Sequence, residues 1–178
     1  MTVSGLSRNW YALHTRSRFE NVVLDGLTRK EVEAFLPRIT VRSKRVDRKK
    51  MIQIPLFPGY LFVKTSLNPH EHLEVIKTVG VVKLVGNLQG PVPISSESIE
   101  SLKIMVQGSQ EILTGSQFKQ GDRVMVVSGP FAGVTGSFVR YRGRGRVVVN
   151  IEALGQYAAV DVGEEDIEVI RDNLLINA

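Results

Sequence analysis

Three histidines, His14, His70 and His72, are the side chains best able to move a proton near neutral pH. Their spacing argues against a shared site. His70 and His72 stand two apart in a segment that reads as helix, so they point in different directions. Glu164, Glu165 and Asp166 cluster without other ligand-type residues beside them. The chain has no cysteine, which excludes disulfides and thiolate chemistry and suits a reducing cytoplasm. With no nucleophile–base pair and no metal set, binding rather than catalysis is the expected activity. No enzyme, metal or cofactor is expected.

The cations are the stronger signal. Arg38, Arg42, Lys44, Arg45, Arg48, Lys49 and Lys50 stand against the single acid Asp47, and Arg140, Arg142, Arg144 and Arg146 form a second run. Together they hold 11 of the 23 Lys and Arg residues in a chain of net charge +5. A charge run is often only a solvated face. Two dense runs without other chemistry point to a polyanion, with nucleic acid the leading partner. For Arg140 to Arg146, RNA binding and a solvated loop stay equally open.

Two further places carry pattern. Phe57-Pro58-Gly59-Tyr60 couples a forced bend to two aromatic rings. Rings at a bend can anchor an interface, although spacing alone favours their filling a core beside a bulged strand. Gly129-Pro130-Phe131-Ala132-Gly133 and Gly136 follow Gly121-Asp122. This spacing is not that of a phosphate-binding loop; the glycines read as turn formers with positive φ.

The elements that must hold these residues follow from periodicity. Trp10 to His14 reads as a strand. Ser17 stands three before Glu20, a capping-box spacing. Phe19, Val23 and Leu27 then give a helical face, with Val22 beside it and Gly26 weakening it. Residues 34–45 and 51–64 read as strands joined by a basic hairpin, the second broken by Pro55, Pro58 and Gly59. Asn68-Pro69 starts a second helix with Leu73, Ile76 and Val79 inward. Val81 to Val85 is a short strand. Ser95 or Ser96 caps a third helix with Ile99, Leu102 and Val106 inward. This is an α+β fold: an α/β layer domain of antiparallel sheet and three helices over residues 8–107. Residues 108–117, with two Gly-Ser pairs, read as a linker. Residues 118–172 carry Val-rich runs at 123–127, 137–141, 146–151, 157–162 and 167–170, a small five-stranded β-barrel. No apolar run approaches the ~20 residues of a membrane span.

Trp10-Tyr11, the Phe57 to Tyr60 motif and the Gly121 to Gly136 pattern, in this order and with a linker between, resemble the NusG family of transcription elongation factors. In that family an N-terminal domain is followed by a KOW domain, an SH3-like barrel. The resemblance covers about Trp10 to Ile170. It implies an apolar surface that grips RNA polymerase, carried here by Tyr11, Phe57, Pro58 and Tyr60. It also implies contact with the exposed non-template DNA strand. Arg16, Arg18, Arg42, Lys44, Arg45, Arg48 and Lys49 are the cations expected there, and nascent RNA is a second nucleic-acid partner. General members present an Ile-Phe-Gly-like stretch that binds Rho or a small-subunit ribosomal protein. Here that place is Ala153-Leu154-Gly155, so Leu154 and Gly155 are the expected partner contact, and loss of the aromatic argues against Rho. This change, the basic hairpin and the short first connection resemble specialised members such as RfaH and the operon-specific antiterminators. Those suppress pausing and termination. The expected protein is a monomeric factor of this kind, with a barrel that does not switch fold.

Overall fold

The computed structural model describes residues 7–45, 50–108, 110–116 and 121–170. The chain divides into two compact units, Met1–Ser96 and Glu97–Ala178. In the first unit, β1 (Asn9–Thr15) is central to an antiparallel sheet. It pairs on one side with β5 (Tyr60–Thr65), which pairs in turn with the two-residue β2 (Ala34–Phe35). On its other side it pairs with β6 (Val81–Leu84) and, further along, with β9 (Pro93–Ile94). A separate two-stranded ribbon joins β3 (Arg38–Arg42) to β4 (Met51–Pro55). A second small ribbon joins β7 (Gly86–Asn87) to β8 (Gly90–Pro91).

Alternation along β1 and β5 sends Tyr11, Leu13, Leu61 and Val63 to one face. They pack there with Val23 and Leu27 of α1 (Glu20–Arg29), Val75 of α2 (Pro69–Ile76), Leu36 and Leu84. α1 starts later than the Ser17 capping box predicts. Arg18 adopts φ 67°, the cap position falls on Phe19, and no side chain caps the helix. The left-handed turn at Arg18 breaks the frame a capping box needs, so Glu20 opens the helix instead of closing the box. α2 keeps its expected start: Asn68 Oδ1 accepts the Glu71 N–H at 2.8 Å, with Pro69 next. Its inward face differs. Val75 is wholly buried, while Leu73, Ile76 and Val79 are exposed. Glu71 reaches back to Thr65 and Ser66. That places its neighbour one turn on, Val75, against the core and turns Leu73 and Ile76 outward.

In the second unit an antiparallel sheet runs in the order β10 (Leu113–Ser116), β14 (Gln156–Asp161), β13 (Arg144–Ile151), β12 (Thr135–Tyr141), β11 (Asp122–Val126), β15 (Ile167–Val169). The five Val-rich runs are the five later strands. The sixth, β10, comes from the stretch that reads as a linker, and its Leu113 pairs with Ala159. Val124, Val126, Val147, Val149, Ile151 and Val160 are buried. α3 (Ser96–Gln107) belongs to this unit from Glu97 onward. Its Ser101 Oγ accepts the Thr135 N–H at 2.9 Å and donates to the Thr135 carbonyl, while Glu97 pairs with Arg123. Met105, rather than Val106, completes the buried stripe of α3 with Ile99 and Leu102. Gly129 and Gly133 take the positive φ expected of them. Gly136 does not; a Cβ there would stand 2.4 Å from the Val148 carbonyl oxygen, so its role is close strand approach.

Candidate functional site

The second face of the first sheet is aromatic. Cross-strand pairing sets Trp10 beside Lys64, Ala12 beside Phe62 and His14 beside Tyr60. The His14 and Tyr60 rings stack at 5.1 Å. Phe62 stacks on Phe35 and meets Phe57 edge-on, and Lys64 Nζ lies 5.9 Å from the Trp10 ring. The four residues expected to grip polymerase do not share one surface. Tyr11 lies on the opposite, helix-covered face and Phe57 is 0% exposed. Pro58 is exposed and Tyr60 half-exposed. The residue that sequence reasoning omitted here is His14, Tyr60's stacking partner. Period-two alternation along Trp10 to His14 carried that signal.

The Pro58–Tyr60 turn is tied to the start of α1. Gly59, with φ 84°, donates its N–H to Glu20 Oε1 at 2.8 Å and accepts the Thr15 N–H at 2.8 Å. Glu20 is only 7% exposed. A carboxylate in the first turn of a helix also meets the positive end of the helix dipole. One residue along, the Arg16 N–H donates to the Gly80 carbonyl at 2.8 Å, and the Arg16 carbonyl accepts the Phe19 N–H. Arg16 and Arg18 are both exposed on this loop.

The remaining expected cations sit on a different element. Arg42 ends β3, and Lys44 and Arg45 follow it, all exposed. Arg48 and Lys49 lie outside the described residues. At the root of the ribbon, Arg38 donates to Asn21 Oδ1 of α1 at 3.1 Å and the Leu56 N–H meets the Pro37 carbonyl. The ribbon is therefore anchored where it meets α1, and its cations extend from that root.

Among the described residues no group of three His, Cys, Asp or Glu is placed to hold a metal ion, and no helix is long and apolar enough to cross a membrane. One carboxylate is strongly perturbed. Hydrogen bonds from the Ser66 backbone and side chain, with help from Thr65 and Arg8, hold Glu71 at a pKa of about 2 against an ordinary 4.5. Its partners are capping and turn groups, so the perturbation is structural. A groove of about 570 Å³ runs between α1 and the turn after α2, lined by Val22, Arg29, Lys77 and Val79 among others.

In the second unit, Leu154 closes a single 3-10 turn, Glu152–Leu154, and Gly155 follows in a left-handed conformation. Leu154 is half-buried and Gly155 exposed. The Arg140–Arg146 run forms the β12–β13 hairpin.

The family model described as transcription termination factor nusG matches residues 8–103. The transcription termination/antitermination protein NusG of Thermus thermophilus is 31% identical over 176 residues, covering 88% of this chain and 96% of that one. Its Bacillus subtilis counterpart is 30% identical over 145 residues, covering 74% and 81%. The solved structure "Domain interaction in Thermotoga maritima NusG" matches with a TM-score of 0.53 at 24% identity, covering 93% of this chain and 98% of that chain, a likeness of fold. With a family model over more than half its length and relatives of this identity over most of theirs, the chain belongs to the NusG family of transcription termination and antitermination proteins.

Proposed function

We propose that this protein is a transcription elongation and antitermination factor that binds RNA polymerase and the exposed non-template DNA strand together. The observation that carries this reading is the joint between the Pro58–Tyr60 turn and the Arg16–Arg18 loop. Both hang on the end of β1 and the start of α1, through Thr15, Glu20 and Gly59. A protein surface and a phosphate-binding surface built on one rigid joint can hold two partners at a set spacing. Pro58, Tyr60 and His14 supply the contact with polymerase, with Tyr11 and Phe57 supporting from within. Arg16, Arg18, Arg42, Lys44, Arg45, Arg48 and Lys49 follow the DNA backbone.

The action is mechanical. A factor that binds active polymerase more tightly than paused polymerase shifts the population toward the active form. The basic ribbon and the leucine at position 154 support a specialised, operon-specific member. A second reading, the general factor, is favoured by the extensive match to relatives named NusG. Leu154 and Gly155 offer a small apolar contact suited to a small-subunit ribosomal protein; with no aromatic ring there, Rho is not assigned.

Transcription in vitro through a terminator tests the proposal. Added protein should raise readthrough, and charge removal at Arg16 and Arg18 should abolish the gain. An effect on every template would select the general factor; an effect confined to one operon leader would select the specialised one. Wild-type protein that neither copurifies with polymerase nor changes readthrough on any template would defeat both.

A further inference from the structure

The β12–β13 hairpin carries features that the polymerase and non-template-strand reading leaves unused. Tyr141 and Arg144 close it, and the two residues between them, Arg142 and Gly143, have φ of 50° and 77°. Two positive-φ residues make a type I′ turn, whose twist matches that of the strands and holds the tip in one geometry. Nothing lies within 4 Å of where a Gly143 Cβ would stand, so the tip is open.

The side chains around the tip form an ordered set. Tyr141 is 51% exposed. The guanidinium carbons of Arg142 and Arg146 lie 5.3 and 5.2 Å from its ring centroid. Arg146 is held at its base by Asp161, Nε to Oδ1 at 2.8 Å. Arg144 reaches the same carboxylate only at 3.9 Å, and Arg140 pairs with Glu164 at 2.6 Å. The side chains of Arg140 and Arg144 are 70% and 78% exposed. Among the described residues no carboxylate holds Arg142.

These pairs differ in what they resist. Exposed ion pairs contribute about 0–1 kcal/mol, so phosphates can displace the acids at Arg140 and Arg144. Arg146, the least exposed of the three paired arginines, keeps its place beside the tyrosine ring. An exposed ring with guanidiniums beside it is a platform on which an unpaired base stacks, once Arg142 moves from the ring to a phosphate. A duplex hides its base faces and would use the cations alone. An acidic peptide would leave the ring unused.

We propose that the Arg140–Arg146 hairpin is a binding site for single-stranded nucleic acid, with Arg140, Arg142 and Arg144 on successive phosphates and a base stacked at Tyr141. A nascent transcript and a displaced DNA strand share this chemistry.

The test is fluorescence anisotropy on the full chain with a labelled single-stranded RNA of 12 nucleotides, the DNA of the same sequence, and the duplex. The background replaces Arg16, Arg18, Arg42, Lys44, Arg45, Arg48 and Lys49 with serine, so that binding by the loop and ribbon cations does not mask the hairpin. Arg140→Ser, Arg142→Ser and Arg144→Ser together should lower the salt slope by about 2, for three phosphates of a single strand. Tyr141→Ala should weaken binding about tenfold and Tyr141→Phe should not, since stacking needs only the ring. Unchanged far-ultraviolet circular dichroism ensures that a loss is local. Tighter binding of RNA names the transcript as the source, and equal binding of both strands extends the site to DNA. A triple variant with wild-type slope, Tyr141→Ala with wild-type affinity, or duplex bound as tightly as single strands would each overturn the proposal. None of these results depends on polymerase binding, so the site can fail while the function proposed above stands.

Discussion

Glu20 Oε1 accepts the N–H of Gly59 at 2.8 Å, across 39 residues of sequence. That bond joins the first turn of α1 to the bend that presents Pro58 and Tyr60. Glu20 has a spacing that reads as a capping box, but its carboxylate holds a distant loop.

Replacing Glu20 with alanine should therefore act on the bend before it acts on the helix. The Gly59 N–H loses a charged acceptor, which costs about 1.5–3 kcal/mol. Urea unfolding should show a loss of this size, and polymerase should copurify less well. Glu20→Gln keeps an oxygen acceptor and should lose less on both counts. Equal stability of Glu20→Ala and wild type would refute the tie.

The perturbed carboxylate predicts an acid dependence. Glu71 ionises in the folded protein at about 2 rather than 4.5. Its folded pKa is the lower one, so its stabilisation is fully present above 4.5 and is lost as the pH falls from there toward 2. Glu71→Gln should be less stable than wild type at pH 7, and the gap should close through that window. Stability curves at pH 7, 4 and 2.5 measure it; a constant gap would count against the assignment.

Val75 and Leu73 form a matched pair on α2. Val75 is wholly buried and Leu73 is 47% exposed. Val75→Ala should destabilise by about 1.5–3 kcal/mol, two carbons of transfer plus the cavity left behind. Leu73→Ala should stay within about 0.5 kcal/mol of wild type. Chemical denaturation of the two variants side by side decides it, and the reverse order would mean that α2 is rotated.

Ser101 of α3 makes two hydrogen bonds to the buried backbone of Thr135. Ser101→Ala strands the Thr135 N–H and should cost about 1–3 kcal/mol. Amide exchange at Thr135 should accelerate at the same time. Unchanged protection there would show that the amide has another acceptor.

Much of this protein was legible before folding. Strand and helix periods placed β1, β5 and the five Val-rich strands within a residue or two, because one buried face imposes a spacing of two or 3.6. Asn68-Pro69 announced its helix because cap and first turn are contiguous. The two motifs carried the family. What stayed hidden were outcomes of contacts between distant segments. Arg18 takes a left-handed conformation that its residue type does not advertise. Glu71 turns inward toward Thr65 and Ser66, and so decides which apolar residues of α2 are buried. Gly26 reads as a weak point in α1, yet a Cβ there would stand 2.7 Å from Thr78 Cγ2. Tyr11 and Trp10 are neighbours of similar character that alternate to opposite faces of the sheet, and both end buried.

The sequence by itself determined the element order, the family and the positions of the basic runs, because these rest on local spacing and composition. The tertiary structure alone decided which aromatic residues reach the surface, which carboxylate holds the Pro58–Tyr60 bend, and which arginines of the hairpin are held by acids. Each of those depends on distance through space between groups far apart in the chain, and hydrogen bonds and burial act on that distance.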